Sequence, residues 1–91
     1  MKSLPRHPEP LIESAVEFGA ALRAARAAAG VNLIDAAAQL GIAKQTLANL
    51  ETGQGGVALD TAFRAAAEFG LSLFAVPKAR RESVRRAIER I

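Results

Sequence analysis

Between Asn32 and Gly53 the sequence reads NLIDAAAQLGIAKQTLANLETG, and the glycine near its middle sets most of what the chain can become. Asn32 offers an N-cap, Asp35 stands at the reciprocal position, and a helix over about 33–40 follows. Gly41 stops that helix, because only glycine takes a positive φ without steric cost. Ile42 is an apolar plug for the bend. A second short helix then runs over about 43–52 and stops at Gly53. Ala37 is small enough for the second helix to pack across the first. Leu47 and Leu50 are placed to anchor it to a core.

Other segments supply that core. Ser14 with Glu17 three residues on is a capping box, and Phe18, Leu22, Ala25 and Ala29 follow at helical spacing up to Gly30. Leu59, Ala62, Phe63 and Ala66 repeat at i, i+3, i+4 and i+7 in a fourth helix, about 59–69, closed by Gly70. The run LSLFAV, 71–76, changes period and ends at Pro77, which predicts a short strand; a fifth helical turn or a packed coil is the other reading. A lone strand leaves its backbone groups unpaired, and no other segment reads as a strand. Its partner is therefore expected in a second chain. The division expected is a flexible arm over 1–13, with Pro5, Pro8 and Pro10, a domain over 14–77, and a basic amphipathic tail over 78–91.

Composition narrows the chemistry. Of the 91 residues 51% are hydrophobic, but 21 are alanine and there is no Trp, Tyr or Cys. Only 25 larger apolar side chains remain, four of them Phe, so burial at an oligomer interface is expected to supplement a thin core. Without Cys there is no disulfide, thiolate zinc site or cysteine nucleophile, and the one histidine, His7, makes no metal cluster. The glycines of GQGG lack the Lys and Ser/Thr of a phosphate loop. No enzyme, metal or cofactor is expected. With no apolar run near the ~20 residues of a membrane helix and no signal-peptide pattern, the chain reads as soluble and cytoplasmic.

Net charge is +3, yet residues 1–77 hold six basic and seven acidic residues. The basic excess lies in KARRESVRRAIERI, with six basic and two acidic residues. Three readings stand for this tail: a solvated segment, an amphipathic helix packing Val84, Ile88 and Ile91 on a protein partner or second protomer, and a phosphate contact through its arginines. The body's cations must be judged by position.

On a helical wheel, Ala43, Leu47 and Leu50 of the third helix face inward. Gln45, Ala48, Asn49 and Thr52 face outward, flanked by Lys44 and Thr46. That face carries amides, hydroxyls and one Lys, without an acid. Amides pair with adenine edges in the major groove, and Lys favours guanine or phosphate. Helix, glycine, apolar residue and helix together form the helix-turn-helix pattern, with the second helix as reader.

The stretches LRAARAAAG, AAAQLGIAKQTLANLETG and LDTAFRAAAEFGL resemble the lambda-repressor-like helix-turn-helix family, the Cro/C1 or XRE class, over residues 14–76. Within it, SAVEFGAALRAAR, GIAKQTLANLETG and LSLFAV after the last helix resemble HipB-type antitoxins. The resemblance implies a mainly α fold of four to five helices with one short C-terminal strand pairing across a homodimer through Leu71, Leu73, Phe74 and Val76. It implies a repressor of its own operon that binds an operator in double-stranded DNA and restrains a HipA-type kinase toxin. Lys44, Gln45, Thr46, Asn49 and Thr52 are the DNA-binding residues expected, with Arg23 either reaching a phosphate or solvated. It also implies a structural ion pair, Arg26 with Glu51. The family commonly has Gln where this chain has Leu33 and often Ser where it has Ala43, which shifts phosphate binding toward helix N-termini, Lys44 and cations elsewhere. The alternatives are a stand-alone XRE-class regulator and an interaction module with a vestigial helix-turn-helix.

Overall fold

The computed structural model describes residues 10–90. Residues 1–9 of the expected N-terminal arm, and Ile91 of the tail, lie outside the described residues. Five α-helices follow in order: α1 Ala15–Ala28, α2 Leu33–Leu40, α3 Lys44–Thr52, α4 Leu59–Glu68 and α5 Arg81–Glu89. A single 3₁₀ turn, Lys78–Arg80, leads into α5.

Caps set these boundaries. Ser14 Oγ accepts from the Glu17 amide at 3.1 Å, while the Glu17 carboxylate accepts from the amide of Glu13, one residue earlier than a capping box requires. Asn32 Oδ1 accepts from the Asp35 amide at 2.8 Å, and its own amide donates to the Asp35 carboxylate at 3.1 Å. At the end of α2, Gly41 has φ +69°. There the Gly41 amide donates to the Ala38 carbonyl at 3.1 Å, and the Ile42 amide to that of Ala37 at 3.0 Å. This pair of hydrogen bonds is the Schellman closure, and it directs Ile42 back onto the core. The same bond pattern closes α1, α3 and α4.

Leu22 of α1, Ala36, Ala37 and Leu40 of α2, Leu47 and Leu50 of α3, and Ala65 of α4 form the core. Phe18, Val31, Leu33, Ile42, Val57, Phe69 and Leu71 pack around it. Contact between α1 and α3 is the most extensive. It is close because of two glycines. A Cβ on Gly19 would sit 2.5 Å from the Leu50 carbonyl oxygen and nearer still to that of Glu51. A Cβ on Gly53 would meet the Val16 backbone at 2.6 Å.

Two expectations are corrected, and a third is not shown. Ala43 is the exposed N-cap of α3, not an inward-facing first residue, and it makes no side-chain cap bond. In α4 the core takes Ala65 and Ala66, with Ala62 half-buried; Leu59 and Phe63 turn outward, 71% and 55% exposed. The helical repeat therefore spans two faces, one lined by alanines that let α4 approach closely. Finally, no strand occurs among the described residues, and 71–77 runs without regular structure. A strand exists only with a ladder partner, and among the described residues none lies beside Leu71–Val76.

Candidate nucleic-acid interface

The turn between α2 and α3 is three residues, Gly41, Ile42 and Ala43, and it leaves one face of α3 open. Leu47, Leu50 and Glu51 point inward and are buried. Lys44, Gln45 and Thr52 are exposed, and Thr46, Ala48 and Asn49 are half-buried. Lys44 is the first helical residue, so its charge stands beside the free amides at the start of α3, where no side chain caps them.

Two hydrogen bonds order this face. Gln45 Nε2 donates to Asn49 Oδ1 at 2.9 Å, one helical turn apart. The pair keeps the Gln45 oxygen and the Asn49 amide hydrogens for a ligand, so the two side chains present one coupled acceptor–donor edge. Thr52 Oγ1 donates to the Ala48 carbonyl at 2.9 Å, leaving its oxygen as an acceptor. No acidic side chain stands on this face: Glu51 is turned in, at 7% exposure.

Glu51 is held by Arg26 of α1. Arg26 Nε lies 2.5 Å from Oε2 and Nη2 2.8 Å from Oε1, a two-pronged pair whose side chains are 13% and 5% exposed. The third arm, Nη1, donates to the Val31 carbonyl at 2.8 Å, beyond the end of α1. The hydrogen bond to Glu51 raises the Arg26 pKa above its ordinary value, burial opposes it, and the carboxylate's charge adds to the rise. The guanidinium thus stays charged at any working pH. The pair ties α1, the α1–α2 connection and α3 together, and so fixes where the open face of α3 points.

Arg23 is exposed and lines a shallow cleft of about 200 Å³ with Leu33, Ala48 and Thr52, against the Arg26–Glu51 pair. Arg23 therefore stands beside the C-terminal half of the α3 face, and Leu33 occupies the same cleft. Leu71 is half-buried against the core, Val76 is half-buried, and Leu73 and Phe74 are exposed, Phe74 at 82%.

Two positioning residues carried no distinctive sequence signal. Arg64 of α4 donates through Nη2 to the Leu40 carbonyl at 2.5 Å, capping the end of α2 just before the turn. Gly19 sets the α1–α3 spacing; a glycine inside an otherwise strong helical run was the available hint. Among the described residues, no group of three His, Cys, Asp or Glu side chains is placed to hold a metal ion. Nor is any helix there long and apolar enough to cross a membrane.

The helix-turn-helix family model HTH_3 matches residues 22–76. No curated protein matches the chain. Among solved structures, "MDT Protein" is 24% identical, with a TM-score of 0.65, covering 74% of this chain and 94% of its own. A HipB(S29A)–O2 20mer complex is 22% identical, also with a TM-score of 0.65, covering 84% of this chain and 99% of its own. At these identities the likeness is one of fold.

Proposed function

The chain belongs to the helix-turn-helix family HTH_3, of Cro/C1 (XRE) type, and from that premise we propose that it is a homodimeric, sequence-specific transcriptional repressor, the antitoxin of a HipA-type kinase toxin. The observation that carries DNA reading is the acid-free face of α3, where Lys44, Gln45, Thr46 and Asn49 stand clear of the core. α3 enters the major groove. The coupled Gln45–Asn49 edge reads a base pair, Lys44 takes guanine or phosphate, and Thr52 accepts from a base or water. Arg23 and the amides at the start of α3 hold phosphates. Residues 14–77 form the reading and pairing unit.

Dimerisation through Leu71, Leu73, Phe74 and Val76 would let each copy supply the ladder the other lacks. Two copies related by a two-fold axis would read a pseudo-palindromic operator with half-sites about one helical turn apart. The fold shared with a HipB(S29A)–O2 20mer complex is compatible with an antitoxin and with a stand-alone regulator alike.

The test is operator selection from random duplexes, followed by binding titrations at several salt concentrations. A palindromic consensus and a falling affinity with salt are expected. Equal affinity for every duplex would leave the helix-turn-helix without a reading role. Co-purification of a kinase from the native host tests the antitoxin assignment separately.

A further inference from the structure

DNA reading leaves unused an open groove of about 1220 Å³, lined by Ile12, Leu59, Phe63, Phe74, Val84 and Ile88 among others. Small-molecule sites hold about 300–1,000 Å³; this one has the size and apolar lining for a stretch of polypeptide. The groove also collects apolar mass the core lacks. Among the described residues, the buried apolar side chains larger than alanine are Leu22, Leu40, Leu47 and Leu50, whereas Leu59, Phe63, Leu73 and Phe74 are exposed. α5 lies outside the core cluster, and its Arg81 reaches back to Glu13 at 2.9 Å. Val84 and Ile88, one turn apart on α5, are the half-buried apolar pair it brings to the groove.

We infer that α5 is a dimer clasp: anchored through Arg81 to Glu13, it closes over residues 71–76 of a second copy of this chain seated in the groove. The inference rests on the dimeric reading above and adds the tail to it. Residues 71–76 form one wall of their own copy's groove, so the same segment of a second copy would lie alongside them. LSLFAV is uncharged and apolar, with Phe74 82% exposed, and it matches an apolar lining. It runs directly into Lys78 and Arg80, and the exposed acid Asp60 stands next to Leu59, at the edge of the outward Leu59–Phe63 stripe of α4. A second copy seated by its 71–76 segment therefore brings cations to a groove edged by Asp60. Two-fold symmetry gives each copy both groove and occupant, so no surplus of either is left in water.

The test is sedimentation of the full chain over a dilution series. Wild type is expected to be dimeric. Val84→Asp with Ile88→Asp should raise the dimer dissociation constant by at least about tenfold, since it places charge against an apolar occupant. Arg81→Glu should raise it about fivefold, and the charge-swapped pair Arg81→Glu with Glu13→Arg should restore it. Phe74→Asp disrupts pairing through 71–76 with or without a clasp. If Phe74→Asp dissociates while the α5 variants and Arg81→Glu pair as wild type does, the clasp is wrong and the strand pairing stands. A wild type monomeric at every concentration overturns both.

Discussion

At the scale of single residues, the least replaceable contact is Arg26 with Glu51. Both side chains are nearly out of water; Arg26 donates to Glu51 and to the Val31 carbonyl, and the Glu51 carboxylate accepts from Arg26. Arg26→Ala leaves a buried carboxylate without a cation, at about 3–5 kcal/mol. That is a large part of the roughly 5–15 kcal/mol that holds a domain together. Thermal melts should show a loss far beyond that of Arg23→Ala, whose side chain is exposed. Equal melting temperatures for the two would mean that the pair does not hold α1 to α3. Gly19 makes a second residue-scale case, in which two effects compete. Alanine favours a helix over glycine by about 1 kcal/mol. Its Cβ, however, would meet backbone of Leu50 and Glu51, which cannot swing aside as a side chain can. Overpacking of this kind costs about 1–3 kcal/mol, so Gly19→Ala should lower stability in urea titrations despite its better propensity. A gain would show that α1 slides on α3 freely.

Among the elements, α3 starts with the weakest cap of the first three helices. Ser14 and Asn32 each accept a bond from the residue three positions on, whereas Ala43 has extended dihedrals but no oxygen to offer. Ala43→Ser should therefore stabilise by about 0.5–2 kcal/mol, visible as a rise in melting temperature of about 4–8 °C per kcal/mol. An unchanged melt would place the α3 amides already in other bonds. The caps also explain how much was legible beforehand. Asn32, Gly41, Gly53 and Gly70 mark helix ends by local chemistry, and the structure ends its helices there. Which face of α4 turns inward was not legible, because Leu59, Ala62, Phe63 and Ala66 are all apolar and close packing favoured the alanines. The 71–76 segment could not be settled either, since a strand is a property of two segments and one chain supplies only one. On α3 the outward residues followed from periodicity, but the Gln45–Asn49 bond and the Arg64 cap on Leu40 depend on rotamers and on a neighbouring helix.

For the whole molecule, the balance of apolar side chains bears on whether folding is coupled to assembly. Four leucines are the buried apolar side chains larger than alanine among the described residues, and six comparably large apolar residues are exposed, Phe74 most of all. A lone protomer keeps that surface in water at roughly 25 cal/mol per Å². Any partner that binds only the folded form stabilises it in proportion to the logarithm of its concentration. If the partner is a second copy paired through 71–76, the melting temperature must rise with protein concentration, as that of a monomer does not. Phe74→Pro removes both a large apolar side chain and a backbone donor from the pairing run. It should abolish the concentration dependence and lower operator affinity, although every residue on the α3 face is untouched. Two half-sites bound through one linked dimer gain affinity from effective concentration, which separate protomers forgo. Scanning calorimetry over a wide concentration range, paired with operator titration of the variant, distinguishes the cases. A wild-type melt independent of concentration, or a Phe74→Pro protein that binds its operator as wild type does, would place the interface outside 71–76.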